Sequence, residues 1–224
     1  KNMPSINTSS CDKNTDCIPF DNSYVNLPER FYQRIKPVPV TKPDLLYFNK
    51  TLASENGLDS EKLCGELGAN IFAGNIIPNG ADPIALAYSG HQFGHLVPQL
   101  GDGRAVMLGE IFDMNGNRWD IQLKGSGQTS FSRNGDGRAA LGPVMREYIL
   151  SEAMHSLGIS TNRALAMVLT GENVFREETL PGAIFTRFAR SHVRVGTFEY
   201  FAIRNDIEAI KLLSEKNEIP SFEA

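Results

Sequence analysis

The 224-residue chain has few cysteines and no long apolar run, and both scarcities narrow the class of protein. Its three cysteines, Cys11, Cys17 and Cys64, form an odd set without a CxxC pair, which favours a reducing compartment over a disulfide framework. No apolar run approaches the roughly 18 residues of a membrane span, and no signal-peptide pattern opens the sequence. These absences predict a soluble globular protein.

Positive charge is also scarce. The net charge of -4 argues against broad binding to a nucleic-acid backbone, although a small basic pocket for a nucleotide can still be assembled locally. Among the four histidines, His91 and His95 have a spacing that would place two zinc ligands on one face of a helix. Gly90 and Gly94 disfavour a helix there, so we prefer a structural role for this pair.

Composition divides the chain into four parts. The polar residues 1–20 are predicted to be a disordered tail, and residues 21–80 an aromatic, proline-containing arm followed by scaffold helices. Helical spacing predicts helices over residues 45–56 and 60–67, with Gly57 and Gly68 as their stops. Residues 81–203 form a third part, in which glycine-rich turns and strand-like runs alternate, and residues 204–224 form a fourth.

A hairpin is the strongest local signal. Ala105–Phe112 and Arg118–Lys124 read as antiparallel strands joined by a turn that contains Asn115-Gly116. In the second strand, side chains alternate between an apolar face and a polar face, and Lys124 falls on the polar one. Lys124 is therefore predicted to face a polar cleft or solvent.

A glycine-rich polar loop over residues 125–138 follows the hairpin. It leads to a helix with Pro143 in its first turn, a roughly helical apolar stripe and an end at Gly158. Further strands are predicted over residues 165–170, 183–187 and 193–195, Thr197 as the cap of the next helix, and a last helix over residues 206–216.

A strand lysine, a glycine-rich loop and a helix that carries Glu147 are the components of a protein-kinase small lobe. Lysine offers a compact charge to phosphate, and a helix carboxylate can fix its flexible side chain. The separate signals are weak, because Gly101-Asp-Gly103 and Gly125-Ser-Gly127 each lack a third glycine and a lone Lys124 could be a solvated edge residue.

Longer motifs make the whole segment recognisable, and they run from about residue 27 to the end of the sequence. Together they resemble the selenoprotein O family. The motifs are YSGHQFG (88–94), QLGDGRA (99–105), QLKGSG (122–127), GDGRAALG (135–142), EYILSEAM (147–154) and TRFARSHVRVG (186–196).

The resemblance implies an α+β fold: a protein-kinase-like small lobe of antiparallel sheet plus helix, with an N-terminal extension and the start of a helical large lobe. It implies a protein adenylyltransferase, which binds ATP in a flipped orientation and transfers AMP to Ser, Thr or Tyr hydroxyls of proteins with Mg or Mn. Some relatives use UTP with manganese. Conventional protein phosphorylation and a silent nucleotide-binding scaffold stay open as alternatives.

By motif match, the resemblance assigns Glu147 as the partner of the phosphate-binding lysine. Arginines in such a site can grip phosphate oxygens in a bidentate way, although sequence alone would also allow surface salt bridges. The matched ATP-binding positions are Gly101, Gly103, Arg104, Lys124, Asp136, Gly137, Arg187 and Arg194.

The family's catalytic-base Asp and metal-binding Asn and Asp match no position here and are expected beyond residue 224. The resemblance thus implies no catalytic or metal residue in this stretch, and no activity for it alone. Its implied partners are a nucleotide and protein substrates with hydroxyl groups, with neither nucleic acid nor membrane. The implied location is cytoplasmic in a bacterium and mitochondrial in a eukaryote.

Overall fold

The computed structural model describes residues 15–216, which combine an antiparallel sheet with helices. The strands are β1 (Tyr32–Arg34), β2 (Asp44–Phe48), β3 (Ile84–Leu86), β4 (Gly90–Gln92), β5 (His95–Val97), β6 (Ala105–Phe112), β7 (Arg118–Lys124), β8 (Ala139–Ala140), β9 (Arg163–Phe175) and β10 (Thr179–Ala189). The α-helices are α1 (Lys50–Glu55), α2 (Ser60–Leu63), α3 (Glu66–Phe72), α4 (Leu141–Ser156), α5 (Val195–Ala202) and α6 (Ile207–Lys216).

The main sheet has the strand order β1-β3-β6-β7-β10-β9-β2, and β8 pairs with β10. The predicted β6–β7 hairpin is present, and Gly116 takes a positive φ of 78° in its turn. At the end of β7, Lys124 lies between Ala105 of β6 and Phe185 of β10. Lys124 therefore belongs to a central strand, which excludes the edge-strand interpretation.

Apolar clusters cover the sheet in three places. Helices α1 to α3 pack on one face, against side chains such as Leu108, Ile121 and Ile184. On the other face, Tyr148 of α4 packs beside Phe185. Residues of the arm and of α5 and α6 form the third cluster with β1, β3 and β6. Each large apolar side chain buried in this way contributes about 1.5–3 kcal/mol.

The predicted arm packs against this body. Strand β1 of the arm pairs with β3 at the sheet edge. The buried carboxylate of Glu110 on β6 accepts hydrogen bonds from the backbone N–H groups of Ser23 (2.6 Å) and Tyr24 and lies 3.2 Å from Lys216 Nζ of α6. One carboxylate thus joins the arm, the sheet and the last helix.

The predicted tail over residues 1–20 falls mostly on residues 1–14, together with Cys11, outside the described range. Residues 15–20 lie within it, and Cys17 and Ile18 are buried in the first core cluster. The packed part of the chain thus begins before residue 20. Between residues 15 and 216, no helix has the length and apolar character that crossing a membrane requires.

The predicted helix over residues 45–56 is wrong in its first half. Residues Asp44–Phe48 form β2, which covers the edge of β9, and only Lys50–Glu55 are helical. Periodicity over so short an apolar run does not separate helix from strand. Residues 44–48 form a strand because they pair with the edge of β9. Gly57 ends α1 with a φ of 76°, as predicted.

Three further predictions are corrected. The predicted helix over residues 60–67 is divided between α2 and α3, and Gly68 does not stop a helix but lies inside α3, where a Cβ would come 1.8 Å from the Leu63 carbonyl oxygen. Residues 193–195 do not form a strand, because α5 already begins at Val195. The N-cap of α5 is Arg194 and not Thr197, which lies in the first turn, where its Oγ1 accepts the Arg194 N–H at 3.1 Å.

Helix α4 spans the predicted region and is followed by Gly158, which has a φ of 77°. Its apolar stripe is only half buried. Val144 and Tyr148 pack on the sheet, whereas Met145 and Ile149 are exposed. The helix therefore contacts the sheet along a narrower face than the sequence pattern predicts.

Candidate functional site

A cavity of about 650 Å³ lies at the ends of β6, β7 and β10, where the loop over residues 125–138 comes closest to the loop before β6. This volume is within the usual range for a ligand pocket. The structure brings all of the predicted ATP-binding residues into its lining: Gly101, Gly103, Arg104, Lys124, Asp136, Gly137, Arg187 and Arg194.

The lysine and its predicted partner form an ion pair. Lys124 points from the end of β7 towards α4, where its Nζ contacts Glu147 Oε1. The lysine side chain is only 18% exposed. Burial lowers the pKa of Lys124, and the hydrogen bond that Lys124 donates to Glu147 opposes that shift. The carboxylate therefore favours the charged form of the ammonium group at the wall of the cavity.

Arg187 lies beside Lys124 on the neighbouring strand. Its Nη2 donates to Oε1 of Gln122, its register partner on β7. Arg187 is 9% exposed and Gln122 is fully buried. Burial lowers the pKa of Arg187, and its buried Nε has no hydrogen-bond partner within residues 15–216. A buried donor without a partner is costly, so this nitrogen is suited to meet a ligand acceptor.

Arg194 enters the cavity from the start of α5. Its guanidinium carbon lies 4.6 Å from the ring centroid of Tyr88, a cation–π contact. Its Nη2 lies 3.7 Å from Asp102 Oδ1, and its buried Nε has no hydrogen-bond partner among the described residues. The arginine is thus held at two points and retains a donor for a ligand.

Glycine at two predicted positions is required by close approaches in the structure. Gly101 has a φ of 60°, and a Cβ there would come 2.2 Å from the ring of Phe131 in the loop over residues 125–138. Gly137 has a φ of 69°, and a Cβ there would come 2.1 Å from the backbone of Gly127, at the other end of the same loop. A side chain at Gly101 would push the two loops apart, and one at Gly137 would push apart the two ends of the glycine-rich loop.

The outer part of the cavity is held by different pairs. Arg176 Nη1 and Nη2 donate to the Asp136 carboxylate at 2.8 and 3.0 Å, and both side chains are largely exposed. Hydrogen bonding to Arg176 lowers the pKa of Asp136. Arg138 donates to the carbonyl oxygens of Val38 and Pro39, both at 3.0 Å. These contacts fix the glycine-rich loop against the arm and β9.

Cationic side chains outnumber acidic ones in the described lining of the cavity, where the acidic residues are Asp102 and Asp136, and Glu147 pairs with Lys124 from α4. The pocket therefore has the charge and the N–H donors that suit a phosphorylated ligand. Within residues 15–216, no group of three or more His, Cys, Asp or Glu side chains could hold a metal ion. The basic residues of the cavity are Arg104, Lys124, Arg133, Arg138, Arg176, Arg187 and Arg194.

Sequence reasoning did not single out several members of this site. Gln122 could have been found, because strand alternation places it on the same face as Lys124. Asp102 lay inside a quoted motif between two predicted glycines. Arg138 lay inside the motif of residues 135–142, whereas Arg176 carried no usable signal, since a distant part of the chain brings its partner Asp136 to it.

The proteins that this chain resembles in sequence are protein nucleotidyltransferases. Residues 16–218 match the family model described as protein adenylyltransferase SelO, and the chain belongs to that family. The protein nucleotidyltransferase YdiU of Rhizobium meliloti (strain 1021) is 62% identical over 196 residues. The YdiU protein of Bradyrhizobium sp. (strain ORS 278) is 62% identical over 197 residues, and that of Rhizobium johnstonii 59% over 210.

These alignments cover most of this chain but less than half of each relative. The Rhizobium meliloti protein is matched over 88% of this chain and 40% of its own length, and the Rhizobium johnstonii protein over 93% and 42%. The chain thus spans about two fifths of the curated relatives it matches. The resemblance to selenoprotein O in the motifs is confirmed.

Proposed function

We propose that this chain forms the nucleotide-gripping part of an ATP-dependent protein adenylyltransferase, which transfers AMP to Ser, Thr or Tyr hydroxyls of proteins. In this proposal, residues 81–203 are a protein-kinase-like small lobe and residues 204–224 begin the large lobe. The base and metal ligands belong to a part of the protein with no counterpart in this chain. Proteins with accessible hydroxyl groups are the partners of the complete enzyme.

The Lys124–Glu147 ion pair carries the proposal. A strand lysine fixed by a helix carboxylate at the wall of a basic cavity is the arrangement by which kinase-like lobes hold a nucleotide polyphosphate. Arg187 and Arg194 add two guanidinium groups with free donors on the same side. Charge on a triphosphate is spread over several oxygens, and three separate cations match that spread better than one.

The transfer proposed for the complete protein is a displacement at the α-phosphorus of ATP. A protein hydroxyl oxygen forms a bond to the α-phosphorus, the bond from that phosphorus to the β-phosphate oxygen breaks, and pyrophosphate leaves. The hydroxyl proton passes to a base outside this chain. Lys124 and the two arginines hold the phosphates in place during the exchange and oppose their charge.

A divalent ion, Mg or Mn, would neutralise phosphate charge in this reaction. The residues described here provide no suitable ligand cluster, so we assign no metal ligand to this chain. Lys124, Arg187 and Arg194 oppose the same charge from the protein side. Their positions do not depend on which of the two ions is bound.

Labelled nucleotides test the proposal. The complete protein is incubated with a protein substrate, or with itself, and ATP labelled at either the α- or the γ-phosphate. Adenylylation transfers the α-label and leaves the γ-label in pyrophosphate. Transfer of the γ-label would instead show a protein kinase, and transfer of neither label would favour a silent scaffold. A parallel reaction with α-labelled UTP and manganese tests UMP transfer.

A further inference from the structure

One buried carboxylate connects Arg187 and Arg194, two of the arginines that line the cavity. Asp102 is 2% exposed and lies between the loop glycines Gly101 and Gly103. Its Oδ1 is 3.7 Å from Arg194 Nη2, and its Oδ2 accepts from Gln122 Nε2 at 3.0 Å. A carboxylate is seldom fully buried unless it is paired, so these partners account for its position.

Gln122 continues the connection to the second arginine. Its amide nitrogen donates to Asp102, and its amide oxygen accepts from Arg187 Nη2. The amide of Gln122 is thereby fixed in one orientation, because its oxygen must face a donor and its nitrogen an acceptor. A continuous chain therefore runs from Arg194 through Asp102 and Gln122 to Arg187.

The side chain of Asp102 is not needed to hold its own loop. The Asp102 N–H donates to the Leu86 carbonyl at 3.0 Å, and the Asp102 carbonyl accepts from the Thr129 hydroxyl at 2.7 Å. These backbone contacts fix the loop on two sides. The carboxylate also accepts a hydrogen bond from the Leu86 N–H at 3.2 Å. Its other contacts are with Arg194 and with Gln122, the partner of Arg187.

Electrostatics agree with this division of roles. Burial raises the pKa of Asp102, while Arg194 and Arg187 oppose that shift. In turn, Asp102 is the largest influence that opposes the burial-induced fall in the pKa of Arg187. Two guanidinium groups close together repel each other, and one shared carboxylate lessens that repulsion.

From this geometry we infer that Asp102 is a positioning residue that orients Arg187 and Arg194 for the phosphates of the bound nucleotide, acting on Arg187 through Gln122. The inference rests on the proposed function. Asp102 makes no bond in the transfer step. It fixes two flexible side chains before the ligand arrives, which removes an ordering cost from binding.

The test is a mutant cycle in the complete protein, in which the effect of Asp102→Asn is measured both in the wild type and in an Arg187→Ala, Arg194→Ala background. We expect Asp102→Asn to weaken binding of ATP and of inorganic triphosphate by roughly tenfold, because Arg194 loses the carboxylate with which it forms an ion pair at 3.7 Å. In the Arg187→Ala, Arg194→Ala background, the same substitution should change either affinity by less than about twofold. Titration calorimetry measures all of these dissociation constants.

Glu152→Gln is a matched control. It breaks a part-buried ion pair with Arg163, at 2.9 Å, away from the cavity, so ATP affinity should be unchanged. The carboxylate of Asp102 also repels the phosphates, so, if the residue had no positioning role, the Asp102→Asn protein would bind triphosphate equally well or more tightly. Unchanged or tighter triphosphate binding by Asp102→Asn would therefore overturn the inference. A full tenfold loss in the arginine-free background would overturn it too, since a purely structural role predicts additive effects.

Gln122→Met decides the question if Asp102→Asn does not fold, as judged by thermal unfolding and circular dichroism. It cuts the link to Arg187 and leaves Asp102 beside Arg194, so its effect on triphosphate binding should vanish in an Arg187→Ala background. An effect that persists there would refute the relay. If the double arginine variant itself binds ATP as the wild type does, the proposed function fails, not this inference alone.

Discussion

Two groups of basic side chains face the same cavity and differ in how they are held. The inner group is Lys124, Arg187 and Arg194, whose partners are side chains of the sheet, of α4 and of the loop before β6. The outer group is Arg133 and Arg176, which are exposed and lie on loops around the entrance of the cavity.

The difference between the groups concerns solvent, and it rests on Lys124 and Arg187, since the side chain of Arg194 is 38% exposed and that of Arg176 is 42% exposed. Charges in a partly buried setting interact more strongly with a phosphate than exposed charges, which water and salt screen. Arg176 already shares its guanidinium with Asp136, and exposed ion pairs of this kind are worth only about 0–1 kcal/mol. We therefore expect the inner group to supply most of the affinity for nucleotide.

The largest expected effect is that of Lys124→Ala in the complete protein. Removal of the ammonium group deletes a phosphate contact and leaves Glu147 without its ion-pair partner beside the phosphates, so ATP affinity should fall by about a hundredfold. Lys50→Ala is the control, because Lys50 pairs with Glu61 at the surface. Equal ATP dissociation constants for wild type and Lys124→Ala would show that the lysine is not in the nucleotide site.

An intermediate effect is expected for Glu147→Gln. Burial lowers the pKa of Lys124, and Glu147 raises it. Without that carboxylate, Lys124 should lose its proton at a lower pH, and the alkaline decline in ATP affinity should move to lower pH. Dissociation constants measured across a pH series check this. Superimposable profiles for the variant and the wild type would argue against Glu147 as the partner of the lysine.

The smallest effect is expected at the entrance. Arg176→Ala and Arg133→Ala should each weaken ATP binding by less than about threefold, because the charges they remove are exposed and screened. The loss from Arg176→Ala should shrink further as salt is raised. A loss as large as that of Lys124→Ala would abolish the distinction between the inner and outer groups. Titrations at two salt concentrations measure both points.

The sequence predicted the local elements around the cavity better than the elements of the arm and the scaffold helices. The β6–β7 hairpin, the helix that carries Glu147 and the loop between them came from local patterns, and the structure has all three. The strand at Asp44–Phe48 was missed, because its partner β9 lies more than a hundred residues away in sequence. A local pattern contains no information on such a partner.

Contacts between distant residues around the cavity were also hard to predict from local sequence patterns. Lys124 and Glu147 were paired in advance because a known arrangement links them. The chain of contacts through Asp102 and Gln122 was not foreseen. Its links join a loop, a central strand and Arg187 of a third element.

By itself, the sequence determined the family and the local elements that carry Lys124, because motifs and alternation are written in consecutive residues. The tertiary structure alone decided that Lys124 is central and partly buried, and that Arg187 and Arg194 share one carboxylate. Burial and partner choice depend on which distant segments meet, and they determine how strongly each charge acts.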